Sequence, residues 1–262
     1  MMREYQENFI KLYKNLHRPE FKDHKLGKFN YILDILNLHN RNGICLDLGC
    51  SNGIMAKKLT KQFQQIIGSD IDLIALKVAS LERSDKLEFI SGDAMALPFK
   101  DQSLDAIACF QMYEHVPSSE RLFSEMDRVL KKEGMILFSG PNKTFPIEPH
   151  YFLPFLHWFN QKTADAYLKL TGKGDHYYER SRTYWDLEKA FNIYEIIDLL
   201  KYVLEYYSQT SPKKIARWAN RFASMLPTFI LRLISPFIVN INWILLKKAT
   251  ETHGKKRTKF TL

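Results

Sequence analysis

The chain has 262 residues, 45% of them hydrophobic, enough for one substantial core with appendages. Its net charge of +9 is unevenly placed: residues 1–200 hold 26 Lys and Arg against 27 Asp and Glu, whereas residues 201–262 hold 12 against 2. The three cysteines, Cys45, Cys50 and Cys109, fall on or beside apolar runs without metal-ligand spacing, which excludes a zinc site and a disulfide framework and points to a reducing, cytoplasmic setting. The first eight residues are too polar for a secretory leader, and no repeat or low-complexity segment argues for a solenoid.

In chain order, apolar positions first recur at helical spacing over 5–16 (Phe9, Leu12, Tyr13, Leu16) and 26–38 (Phe29, Ile32, Leu33, Ile35, Leu36). Strands are then expected near 43–48, 65–70, 87–91, 104–110 and 134–139, with helices near 53–63, 72–81 and 119–131. Alternation at this rhythm argues a mostly parallel sheet covered on both faces. Pro117-Ser118-Ser119-Glu120 reads as the start of the third helix, and Lys131, Lys132 and Gly134 as its end. An aromatic-rich stretch follows the fifth strand, so it should sit over a ligand crevice. Residues 184–191 read as a further helix and 194–199 as a sixth strand.

Residues 44–53, Ile-Cys-Leu-Asp-Leu-Gly-Cys-Ser-Asn-Gly, are an apolar strand breaking into a small-residue turn, where a ligand can approach the main chain closely. A second apolar run ends in Asp70, about twenty residues on, the spacing at which a carboxylate reaches a ribose diol. A third ends in Gly92-Asp93-Ala94. With Ala96-Leu97-Pro98-Phe99, Ser103-Leu104-Asp105-Ala106-Ile107, Glu114-His115-Val116 and residues 128–134 in order behind them, the chain resembles the class I S-adenosylmethionine-dependent methyltransferases, in their small-molecule type 11 branch. The resemblance is close over 26–142. It departs at Ser51, which stands where that family's acid-x-Gly-x-Gly-x-Gly motif has its middle glycine. The alternative is a dinucleotide-binding Rossmann enzyme, whose Gly-x-Gly-x-x-Gly spacing this turn lacks.

The resemblance implies a Rossmann-like seven-stranded sheet and S-adenosyl-L-methionine as cofactor. It assigns Asp70 to the ribose hydroxyls, Asp93 to the adenine amino group and Gly49 to the amino-acid end. Asp47, Cys50, Ser51 and Gly53 complete the first turn, with Ile71, Ala94 and Gln111 nearby. Some relatives, the ubiquinone-pathway O-methyltransferases among them, carry Glu-x-x-Glu-His after the fourth strand and ligate a divalent metal there. Here Gln111 replaces the first Glu, and a neutral amide is a poorer ligand for a hard cation, so no metal is expected. Glu114, His115 and His150 are the candidate catalytic residues. A histidine titrating near neutrality suits a general base, and prolines 146 and 149 stiffen the loop that carries Glu148 and His150. Lys143, His176, Arg180 and Arg182 are candidates for an anionic substrate group.

The expected organisation is N-terminal helices over the cofactor site (1–40), a cofactor-binding core (41–142), an aromatic cap (143–182) and a core helix with the sixth strand (183–200). Basic amphipathic helices (201–238), a last strand (239–248) and a polar basic tail (249–262) follow. The apolar run 229–246 is long enough for a membrane span, but a central Arg232 costs roughly 2.5–3.5 kcal/mol on insertion scales, and Pro236, Asn240 and Asn242 also argue against it. The activity expected is methyl transfer, to oxygen, on a small or lipid-linked acceptor near an anionic membrane surface, in a cytoplasmic protein peripheral to the inner face. An RNA methyltransferase using the basic appendage, or a non-catalytic cofactor-binding scaffold, are the alternatives.

Overall fold

A computed structural model describes residues 27–29, 31, 32, 34 and 41–248; the helix expected over 5–16 and the tail at 249–262 lie outside them. Five strands, β1 (Arg41–Leu48), β2 (Phe63–Asp70), β3 (Leu87–Ser91), β4 (Leu104–Phe110) and β5 (Leu130–Pro141), pair side by side in parallel in the order β3-β2-β1-β4-β5. The short β6 (Ile147–Glu148) and β7 (Leu153–Pro154) form a separate hairpin. Strands β8 (Tyr194–Asp198) and β9 (Asn240–Lys247) finish the large sheet, with β9 antiparallel to both neighbours and the order β3-β2-β1-β4-β5-β9-β8. This is the expected seven-stranded, mostly parallel Rossmann-like sheet.

Alternation along the strands divides the core in two. Leu46, Ile107, Ile136, Phe138 and Trp243 face one side; Cys45, Ile66, Ala108, Leu137 and Ile244 face the other. Such two-sided burial is what near-continuous apolar runs predict for parallel strands. Helices α1 (Ile54–Leu59) and α2 (Leu73–Ala79) cover the second face, and α3 (Ser119–Val129) the first. Ser118 caps α3, accepting from Arg121 N–H at 3.3 Å. That helix stops at Val129, earlier than expected, because Leu130 already pairs with Leu104. Lys131, Lys132 and Gly134 therefore belong to β5, at an irregular register between the Leu104 and Ala106 pairs, rather than to a helix terminus.

After β5 the chain folds into a small cap. Helix α4 (Gln161–Leu170), started by the Asn160 side chain, packs Ala164 and Leu168 on Leu153, Leu156 and Tyr177. Buried Asn142 ties this excursion down: its amide donates to the Pro236 and Ile238 carbonyls, and its oxygen accepts from the Thr144 and Tyr184 N–H groups. Helix α5 (Tyr184–Ala190) begins with a Thr183–Asp186 capping box. Helix α6 (Leu200–Thr210) lays Leu200 and Val203 on the sheet, and α7 (Lys214–Ser224) packs on α6. Helix α8 (Thr228–Ile234) and a 3-10 turn, Ser235–Phe237, lead into β9. Because Pro141 pairs with Asn240, the cap and α8 both sit at the carboxyl end of the parallel strands. No helix among the described residues is long and apolar enough to cross a membrane. Near the start, Lys28 Nζ reaches Asn242 Oδ1 at 2.6 Å, and the Phe29 and Phe110 rings lie 4.2 Å apart.

Candidate active site

A cavity opens where β1, β2, β3 and β4 end. It holds about 690 Å³ of space, counted out to solvent. The turn after β1 forms one wall. Gly49 adopts φ 77°, and its N–H and that of Cys50 both donate to the Ser69 carbonyl, at 2.8 and 3.0 Å. A Cβ built on Gly49 would stand 2.8 Å from Met112 Cγ, so both the backbone conformation and the close approach require glycine. Ser51 keeps the left-handed conformation, φ 51°, at the position that departs from the glycine pattern.

Asp70 ends β2 and faces this cavity. One carboxylate oxygen accepts from Ser51 N–H at 2.7 Å and the other from Asp72 N–H at 2.9 Å, which fixes its plane. Burial raises its pKa, opposed by the Asp72 and Ser51 N–H bonds. Asp72 caps α2 through Ile74 and Ala75 N–H. Asp93 is oriented by Met95 N–H at 2.8 Å. Gln111, with φ 52°, lines the cavity from the β4 side, its side-chain amide turned toward Ser139 and Asn240 at 3.3 and 3.5 Å.

Beside the cavity a buried polar cluster assembles from two distant segments. The 3-10 turn Tyr113–His115 carries Glu114, fully buried, and His115, which lines the cavity. The cap loop brings His150: its Nε2 lies 3.8 Å from Glu114 Oε1, and His115 Nε2 lies 3.6 Å from the same oxygen. His150 Nδ1 is held by Glu148 Oε1 at 2.7 Å, while Glu148 Oε2 accepts from the His150 and Tyr151 N–H groups. Burial alone would lower the His150 pKa, but the Glu148 hydrogen bond and the Glu179, Glu148 and Glu114 carboxylates together push it up to about 9. One donor atom from each of Glu114, His115 and His150 lies within 4.8 Å of the others. That spacing would suit ligands sharing one divalent ion, and Glu148 behind His150 is placed to orient its imidazole.

Residues 46–138 match a family model described as a methyltransferase domain. A ubiquinone biosynthesis O-methyltransferase of Aliivibrio fischeri is 30% identical over 168 residues, which span 60% of this chain and 66% of that one. Among solved structures, a methyltransferase in complex with the Haloferax volcanii Trm112 methyltransferase activator aligns at TM-score 0.59 and 15% identity, over 97% of this chain and all of that one. A S-adenosylmethionine-dependent methyltransferase of Thermotoga maritima aligns at 0.55 and 17% identity, over 95% of this chain and 100% of that one. These two likenesses establish the fold. The chain carries a methyltransferase domain over residues 46–138.

Of the cofactor residues expected for this methyltransferase domain, Gly49, Ser51, Asp70, Ile71, Asp93, Ala94 and Gln111 line the cavity. Asp47, Cys50 and Gly53 do not. Asp47 is buried within β1, and the Cys50 thiol lies 3.7 Å from the Ser51 carbonyl. Gly53 precedes α1 at φ 76°, where an added Cβ would meet the Phe89 ring at 2.7 Å; its smallness serves helix–sheet packing. Glu114 and His150 stand behind His115, outside the cavity wall. His176 is turned away, its Nδ1 on Asp165 at 2.9 Å, and does not join Lys143, Arg180 and Arg182. Sequence reading missed Ser69, Asp72, Gly92 and Met112, all on the wall. Asp72 was legible as a helix cap two residues past Asp70; nothing local distinguishes Met112. The Cys109 thiol is raised by burial and by Glu114 and Asp47, which leaves it an inert core group.

Proposed function

We propose that this protein transfers the methyl group of S-adenosylmethionine to a hydroxyl of a small or lipid-linked acceptor at an anionic membrane surface. The observation that carries the reading is the Glu114–His115–His150 cluster beside the cavity. A sulfonium methyl is already activated, so the protein's task is in-line placement of the hydroxyl and removal of its proton. Asp70 and Asp93 would hold the two ends of the adenosine, and the Gly49 turn the amino-acid end. Glu114, His115 and His150 would hold a divalent ion, which when bound lowers the pKa of a coordinated hydroxyl. Glu148 keeps the His150 ring aimed at Glu114. The name of the Aliivibrio fischeri relative, an O-methyltransferase, supports transfer to oxygen.

The membrane part rests on α7, α8 and the turn after them. Trp218, Phe222, Met225, Phe229, Leu233 and Phe237 are 58–74% exposed, and Lys213, Lys214, Arg217, Arg221 and Arg232 flank them. An exposed apolar face rimmed by cations fits an anionic lipid surface, where each cation contributes about 1 kcal/mol. The test is transfer of labelled methyl from S-adenosylmethionine into lipid extract presented in anionic vesicles. Label in an alkali-stable ether of the organic phase is the expected result; label confined to water-soluble products would remove the lipid-linked acceptor. Turnover should fall in EDTA and return with Mn²⁺ or Mg²⁺, and full turnover in chelator would remove the metal from the mechanism.

A further inference from the structure

Next to the cofactor cavity, and touching it at Val116, lies a second cleft of about 760 Å³ counted out to solvent. We propose that this cleft binds a phosphate group carried by the methyl acceptor; the proposal rests on the methyl-transfer reading above and names what the acceptor must contain. Three cations line the cleft, Lys143 from the chain leaving β5 and Arg180 and Arg182 from the chain returning before α5. Their backbones are locked together. Residues Asn142 and Arg182 form a parallel bridge, Lys143 N–H donates to the Arg182 carbonyl at 2.9 Å, and Arg180 N–H donates to the Glu114 carbonyl at 2.8 Å. The last of these ties the cationic wall directly to the catalytic turn.

Charge distribution decides what the cleft can take. Two carboxylates also line it, and both are engaged. Glu120 pairs with Arg182, whose Nε also donates to Ser119 Oγ at 2.7 Å. Asp186 is bound into the capping box of α5, and its pKa is lowered by that Thr183 hydrogen bond, with Arg182 and Lys143 adding to the effect. Lys143 and Arg180 make no ion pair with a carboxylate among the described residues; Arg180 Nη1 only rests on the Pro117 carbonyl at 3.0 Å. Two cations that form no ion pair among the described residues, with the Ser119 hydroxyl nearby, suit an anion with several acceptor oxygens. Because the cleft joins the cavity at Val116, one residue past His115, an acceptor anchored there would present its hydroxyl at the transfer site.

The experiment is isothermal titration of the full chain, loaded with S-adenosylhomocysteine, using inorganic phosphate, pyrophosphate and monomeric dihexanoyl phosphatidic acid. Saturable one-to-one binding of at least one probe is expected. A Lys143→Gln/Arg180→Gln variant should lose about tenfold or more, the loss expected for charge-assisted hydrogen bonds. A control variant with the same charge change at the exposed Lys77 and Lys86 should bind as wild type. Preference for phosphatidic acid over inorganic phosphate would identify a lipid phosphate as the source, and equal affinity a free one. Absence of saturable binding of all three probes, an unchanged Lys143/Arg180 variant, or an equal loss in the control would each overturn the site. S-adenosylhomocysteine affinity, measured on the same samples, reports separately on the cofactor cavity and should be unchanged in both variants.

Discussion

Gly49 and Ser51 share a left-handed backbone only two residues apart, yet they stand in different positions. At Gly49 any side chain meets Met112 as well as an unfavourable φ; at Ser51 the chain already carries a Cβ in that conformation. Gly49→Ala should therefore cost about 1–3 kcal/mol and weaken cofactor binding, whereas Ser51→Ala should cost no more than about 0.5 kcal/mol, as both the conformation and the N–H bond to Asp70 persist. Urea denaturation of the two variants checks the contrast; equal losses would contradict it. Asp70 lies at the other end of the same hydrogen bond. Its carboxylate is pre-oriented by two backbone N–H groups, so Asp70→Ala removes both a ligand contact and the partner of those donors. A loss of roughly 1–3 kcal/mol in S-adenosylhomocysteine affinity is expected, with the protein still folded. Calorimetry showing wild-type affinity would refute the ribose assignment. The aspartate and the glycine were legible because strand, turn and acid sit within one short stretch of chain. The raised pKa of His150 was not, since the carboxylates that cause it come from Glu114, Glu148 and Glu179, two of them about thirty residues away in sequence.

Helices α7 and α8 show where helical periodicity stops being informative. The spacing of Trp218, Phe222, Phe229 and Leu233 identifies an apolar face, but the same spacing would serve a buried helix. Burial decides between the two. Trp218 is 61% and Phe222 64% exposed, with their rings stacked at 5.9 Å on the outside of the molecule. A Trp218→Glu/Phe222→Glu variant should accordingly keep its fold and its cofactor affinity, because neither carboxylate would be buried. It should lose co-sedimentation with anionic vesicles at low salt. Unfolding of the variant, or wild-type protein that ignores such vesicles, would remove this face from any membrane role. Helix α6, by contrast, was not distinguished from the basic segment that follows it. It has no capping side chain and mixed polarity, and only the burial of Val203 in the sheet's core separates it from α7.

The whole sheet depends on an element far along the chain. Strand β9 inserts between β5 and β8, and Trp243 at its centre is 1% exposed, packs against Phe138 and Tyr184, and donates from Nε1 to Asp198. Trp243→Ala should cost about 3–5 kcal/mol and lower the stability of the whole sheet in a single transition, read by circular dichroism and tryptophan fluorescence together. Separate transitions for the two probes would show that β9 is not integral to the core. Asn142 acts at the same scale, since its four hydrogen bonds join the cap to the turns before α5 and β9. Asn142 does not announce this in sequence, being one polar residue in a loop, whereas Trp243 falls within the last strand expected over 239–248. The sequence by itself determined the alternating elements, the parallel sheet and the cofactor turn, because each depends on residues close together in the chain. Tertiary structure alone decided that Glu114, His115 and His150 converge, and that Lys143, Arg180 and Arg182 line one cleft. These are contacts between segments tens of residues apart. Their geometry is set by how the β5–β9 corner folds back on the strand ends, which no local pattern encodes.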